Sequence, residues 1–336
     1  MNNPAAASLP KVSEFKLNWP SLHTGSTHEL VLDKDYIYVT GQNMDLVAKC
    51  NYQGEVCAYY PMPPGSGPHG LLIDKAGRLW VSLEFAGLVV QLDETGHIVC
   101  IRDVRLFAEG AANPINTAPH GIGLDADGET IWFTGKRTST VGRIHPDGRV
   151  EHFELGTLAA LPIILQAGPD GGIWGSELLG NMILNVSKDG VVREFKLGAG
   201  SGPIGVVQDP TEDVMWFTEA NGMKIGKIDM QGHITKYPVP ALQKGDTLAS
   251  LCFDRDHNLW VQVYVDQAID GEANTDYILM FDQSIRQAAG GDISGVPVVT
   301  HAIASQGSML HRIKLDLEGN LWFTEMMTDK LGRIAL

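Results

Sequence analysis

Four histidines carry the clearest chemical signal in this sequence: His28, His69, His120 and His311. His69 and His120 each sit in a Pro-His-Gly turn, and all four stand at the head of a short apolar-rich stretch. A neutral imidazole is the usual general base near pH 7 and the commonest metal ligand. A converging set could therefore move a proton or hold a cation. Glu84 closes "LWVSLE" and Glu325 closes "LWFTE". Paired with His69 and His311 in turn, these carboxylates could hold a divalent ion or assist a proton transfer. Lys136 and Arg137 follow "IWFTG" and could meet an anionic substrate. Taken singly, each histidine is better explained as a turn residue bonded to a carbonyl and Lys136 and Arg137 as solvated loop cations, while for each carboxylate a surface position is an even alternative. The shared position of four histidines is what points to a site.

A repeat is what can bring residues so far apart together. Trp80, Trp132, Trp174, Trp216, Trp260 and Trp322 each follow a short turn and open an apolar strand, and Tyr38 takes that place earlier. Successive steps are 42, 52, 42, 42, 44 and 62 residues, a period near 42 with insertions. Each unit reads as four short strands joined by Gly/Asp turns, which is one antiparallel blade. A lone blade cannot bury both faces, so seven must stack into a closed ring. The fold class is all-β, a seven-bladed β-propeller in a single domain over residues 1–336. The last unit stops after its third strand at "LGRIAL", and "VSEFKLN" at 12–18 matches the fourth strands elsewhere. The N-terminal strand is therefore expected to complete the C-terminal blade, leaving no open sheet edge.

In such a ring the innermost strand of each blade lines a central channel. The residues that head it are His28, His69, His120, Ile163, Ile204, Ala249 and His311. Blades seven, one, two and three are consecutive, so four histidines line one arc of the mouth. Ile163 and Ile204 face them as candidate substrate-binding residues. A one-sided polar site in an apolar funnel is the usual form of a small-molecule pocket. Insertions at 105–118 and 266–275 should emerge at this face as lids, and 283–295 at the opposite one.

Composition narrows the partners. With 40 acidic against 25 basic residues the net charge is −15, which argues against nucleic acid and anionic membrane. Apolar residues at 44% imply a packed core. No signal peptide and no apolar run of about 18 residues is evident, so a cytoplasmic protein is expected. Cys50, Cys57, Cys100 and Cys252 form no CxxC pair and read as reduced core thiols. Nothing bears on oligomeric state.

The repeats "PHGLLIDKAGRLWVSLE", "PHGIGLDADGETIWFTG", "WFTEANGMKIGKID" and "LWFTEMMTDKLGRI" resemble those of the virginiamycin B lyase (streptogramin lyase) family over all seven units. The resemblance implies a magnesium ion at the channel mouth, held by a histidine of one blade and carboxylates of the next. It also implies a base in the Pro-His-Gly turn and an elimination that opens a cyclic depsipeptide at its ester without water. His28 then matches the metal histidine, His69 the base and Glu84 a metal carboxylate. Where the family pattern has a second carboxylate, two residues before the base, this chain has Gly67, and Met309 in blade seven. The expected function is a metal-assisted lyase acting on a small cyclic ester or related metabolite. The alternatives are a non-haem iron oxygenase on the four histidines, similar in ligand count alone to carotenoid-cleaving enzymes, and a non-catalytic ligand- or protein-binding propeller.

Overall fold

The computed structural model describes residues 10–20, 24–107, 109–265 and 275–336. These form seven four-stranded antiparallel sheets, and blade-to-blade contacts run between the inner strands all the way round the ring. The sequence dictates each blade through one recurring clasp. An Asp ends or follows the inner strand, and the Trp of the second strand donates its indole N–H back to it. The distance is 2.9 Å at Asp74–Trp80, 2.8 Å at Asp125–Trp132 and 2.7 Å at Asp209–Trp216. The same bond recurs at Trp174, Trp260 and Trp322, and the Tyr38 hydroxyl makes it to Asp33. The aromatic body fills the space between blades while its polar tip is satisfied, which suits a buried indole. The "VGRI", "KIGKI" and "LGRI" glycines have a steric cause. A Cβ at Gly142, Gly226 or Gly332 would come within 1.9–2.0 Å of the ring tip of Phe133, Phe217 or Phe323.

The seam closes as the sequence predicts, with the strand a residue or two earlier. Lys11–Lys16 pairs antiparallel with Lys330–Ala335 from Lys11 opposite Ala335 to Lys16 opposite Lys330. The Asp329 carboxylate also accepts from the Gly25 and Ser26 amides, tying the first blade to the last.

Two of the insertions can be placed. The 105–118 segment lies at the histidine face, drawn together by paired Leu106 and Ile115. Asn116 holds it to the carbonyls of Glu84 and Phe85. The 283–295 segment forms two 3-10 turns at the other face, where Arg286 bonds Asp209 and the His257 carbonyl. The 266–275 insertion lies outside the described residues except for Thr275. The cysteines correct one expectation: Cys50 and Cys252 are buried, but Cys57 is exposed and Cys100 half-buried. Cys57 and Cys100 stand on outermost strands, where alternate residues face solvent.

Candidate functional site at the channel mouth

The register of the inner strand breaks at the same place in every blade. The pairing skips between Thr27 and Leu30, Pro68 and Leu71, Pro119 and Ile122, and Leu310 and Ile313. The other three blades break at Pro162/Ile164, Pro203/Val206 and Leu248/Leu251. A bulge of this kind re-aims a side chain, and the first bulged residues are His28, His69, His120, Ile163, Ile204, Ala249 and His311. The sequence alignment of the seven heads therefore holds, including Ala249.

In six of the seven blades the residue two after the aromatic carries a hydroxyl, which props the bulge; blade six has Gln262, whose Nε2 donates to the Arg312 carbonyl instead. Thr40 Oγ1 accepts from the Glu29 amide and donates to the His69 carbonyl at 2.8 Å. Ser82 does the same between Gly70 and His120, and Thr324 between Arg312 and His28. The hydroxyl bonds its own blade to the next one, a role the sequence reading missed although the "W-x-T/S" spacing displays it. Thr40→Val leaves a buried amide and a buried carbonyl unpaired and should cost roughly 2–4 kcal/mol. Urea unfolding of this near-isosteric variant checks it.

The four imidazoles converge. Ring centroids lie 5.0 Å apart for His28–His69, 5.1 Å for His28–His311, 5.7 Å for His69–His311 and 3.6 Å for His69–His120. Three donate Nδ1–H to the carbonyl of the next blade's bulge: His69 to His120, His120 to Ile163, and His311 to His28. His28 uses the Ser26 carbonyl of its own blade. This leaves the lone pair on Nε2, and the buried Nε2 of His69 has no hydrogen-bond partner among the described residues. Burial pushes His69 well below the ordinary imidazole range, helped by His120, His28, His311 and the Lys136 ammonium. Burial, then Lys136, does the same to His120. Burial and His28 take His311 down to about 3, and burial lowers His28 against the pull of Glu29 and Glu84. All four are neutral bases at neutral pH.

The carboxylates fall differently from expectation. Glu84 stands four residues after its Trp, whereas Glu325 stands three after. In a strand that one-residue offset turns the side chain to the other face. Glu84 reaches the mouth, and its oxygen lies within 4.8 Å of ligand atoms on both His69 and His120. Glu325 turns away: it accepts from Thr328 and its charged neighbours are Glu14 and Lys330, not His311. The pairing of Glu325 with His311 is therefore corrected. The carboxylate 3.7 Å from His311 is Glu29, which the sequence reading passed over and which Arg312 grips through both oxygens. Below the histidines the channel keeps an open volume of about 120 Å³, with Glu29, Arg312 and Ser250 among its walls.

Glu177 shares Glu325's register and, like it, is pushed up by burial. Among the described residues no N–H or O–H donor reaches either Glu177 oxygen, and burial, then the neighbouring Glu194 carboxylate, pushes it up to about 8. A raised carboxyl contributes its stability fully below the unfolded value near 4.5 and loses it as pH rises toward 8. Glu177→Gln removes that loss. It should leave stability unchanged near pH 4.5 and raise it by about 1–3 kcal/mol at pH 7.5, as read by urea unfolding at both values.

Lys136 is at the mouth but is already engaged. Its Nζ bonds Glu84 Oε1 at 2.9 Å, and Gln42 Nε2 bonds Glu84 Oε2 at 2.8 Å. Gln42, Glu84 and Lys136 hold one equivalent position, four residues after the aromatic of blades one, two and three. The same position carries Leu178, Ala220, Tyr264 and Met326 in the other blades. Arg137 is exposed on the rim. Ile163 is buried and Ile204 half-buried on the apolar arc.

Magnesium demands oxygen donors in near-octahedral array, and the described residues of this mouth do not supply them. Glu84 is taken at both oxygens, Glu29 is neutralised by Arg312, and Gly67 and Met309 offer no carboxylate. Among the described residues, the groups whose ligand atoms lie within 4.8 Å of one another are His69–Glu84–His120 and Glu29–His69–His311. Each mixes two imidazoles with one carboxylate. Neither contains His28, and neither unites the four histidines as an iron site would.

A closed seven-bladed propeller with imidazoles on one arc of its channel mouth defines the class. The chain belongs to the virginiamycin B lyase family, whose profile matches residues 105–294. It is 27% identical over 215 residues to virginiamycin B lyase of Nocardia farcinica (strain IFM 10152), spanning 52% of this chain and 70% of that protein. The fold matches a streptogramin B lyase structure with a TM-score of 0.78 at 19% identity, covering 97% of each chain. It also matches a catalytically inactive histidine-to-alanine variant of virginiamycin B lyase from Staphylococcus aureus with quinupristin. There the TM-score is 0.76 at 24% identity, covering 97% of this chain and 99% of that one.

Proposed function

We propose that this protein is a C–O lyase that opens a small cyclic ester of the streptogramin B type at the channel mouth. The observation that carries the reading is the neutral, buried and unpartnered Nε2 of His69 at the centre of the histidine arc. Family membership and the relatives' names supply the reaction class. His69 Nε2 takes the proton alpha to a carbonyl. The electron pair left on that carbon forms a C=C bond as the neighbouring C–O bond of the ester breaks, and the carboxylate departs as leaving group. No water is consumed, so substrate and ring-opened product have the same mass. The His120 carbonyl holds His69 in the Nδ1–H tautomer that this step requires.

The rim supports an apolar ring-shaped substrate. Phe85, Phe107, Ile115, Leu179 and Met327 are exposed large hydrophobics, and all lie on the loops that follow strand two or enter strand one. Exposed apolar groups collected around a polar pocket mark a ligand surface. Incubation with a streptogramin B antibiotic, read by chromatography and mass spectrometry, tests the reading. A ring-opened product of unchanged mass supports it. A product heavier by one water would assign hydrolysis, and no conversion counts against this substrate class.

A further inference from the structure

The Lys136–Glu84 contact has a consequence for how this mouth carries positive charge. Lys136 comes from blade three and reaches back to a carboxylate of blade two, which Gln42 of blade one holds from the other side. Glu84 is buried and the lysine side chain is itself 29% exposed. Glu84 is also the one carboxylate in the His69–Glu84–His120 group, and both of its oxygens are engaged. That group, two imidazoles and a carboxylate, suits an imidazole-seeking divalent ion in its donor types. An ammonium already on the carboxylate opposes such an ion twice, by repulsion and by occupying its anionic ligand.

We propose that Lys136 is the built-in cation of this site: its ammonium takes the carboxylate that a divalent ion needs, and the mouth works without a metal. The rest of the chain is consistent with a site organised around a fixed charge. Gln42, Glu84 and Lys136 occupy one repeat position in three consecutive blades, on the arc that carries the histidines. The ammonium is close enough to act electrostatically on His28, His69 and His120. An enolate oxygen formed beside His69 would be stabilised by the same charge, the usual way a preorganised cation lowers a barrier. This last role rests on the lyase reading; the exclusion of metal does not.

The test is calorimetric titration of Ni²⁺, which favours imidazole ligands, into full-length protein treated with chelator and desalted. Wild type should show no tight site. Lys136→Met should gain one, at least tenfold tighter than anything in wild type, and Lys136→Met/Glu84→Gln should lose it again. A wild-type site as tight as that of Lys136→Met, and lost in Glu84→Gln, overturns the proposal. So does a Lys136→Met variant, shown folded by its circular dichroism and melting, that gains no site. A second arm uses turnover. If wild type converts a streptogramin B antibiotic, conversion should survive chelation. Loss on chelation with recovery on adding Mg²⁺ overturns metal independence while leaving the lyase reading intact. Absence of any conversion counts against the lyase reading, and the titration still decides the role of Lys136.

Discussion

His69→Ala should lower turnover by about a hundredfold or more while the protein still folds. The imidazole is the only part removed: its carbonyl still accepts from Thr40, and the bulge that aims it is held by strand pairing on either side. Its place at the centre of the arc distinguishes it from its neighbours. His69 packs against His28, His120 and His311 together, and among the described residues its Nε2 is the buried imidazole nitrogen at this mouth without a hydrogen-bond partner. The pH profile adds a second readout. Burial and the surrounding imidazoles hold His69 well below the ordinary histidine range, so the acid limb of kcat/KM should lie well to the acid side of an ordinary histidine's. Lys136→Met removes one of the charges that depress it and should move that limb upward. Normal turnover in His69→Ala would dismiss it as the base and leave the arc as a binding surface.

Removing residues 1–20 should cost stability on the scale of the whole fold. The outermost strand of the last blade goes with them, and with it the ladder to Lys330–Ala335. Leu17 is fully buried, Trp19 nearly so, and Phe15 stacks on Trp322. Burying side chains of this kind is worth about 1.5–3 kcal/mol each, so their loss alone approaches the lower end of the ~5–15 kcal/mol that holds an ordinary domain together. The exposed edge left behind is also a template for aggregation. A melting temperature lower by roughly ten degrees or more is expected. If the truncated chain cannot be purified, Leu17→Ala gives the milder version, with an expected loss of about 2–4 kcal/mol. A truncated chain melting within a degree or two of full length would show that the seam is not what closes the ring.

What the sequence by itself determined follows from repetition. A period near 42, an aromatic at each step and a stray fourth strand at the N-terminus define seven blades and the seam. The equivalent heads of the inner strands then put four histidines on one arc, because ring closure makes blades seven and one neighbours. Periodicity could go that far because the blades solve the same packing problem in the same way, down to the clasp between an Asp and the Trp, or in the first blade the Tyr, of the second strand. It could not say which carboxylates reach the mouth. Glu84 and Glu325 look alike in "LWVSLE" and "LWFTE", yet one extra residue puts them on opposite faces of a pleated strand. Glu29 was invisible beside His28 because the bulge, a tertiary feature, turns both residues inward. The reach of Lys136 across a blade boundary to Glu84 was decided in three dimensions as well. Side-chain reach and pairing depend on distances between blades, and a repeat encodes the positions in the ring without encoding what bridges them.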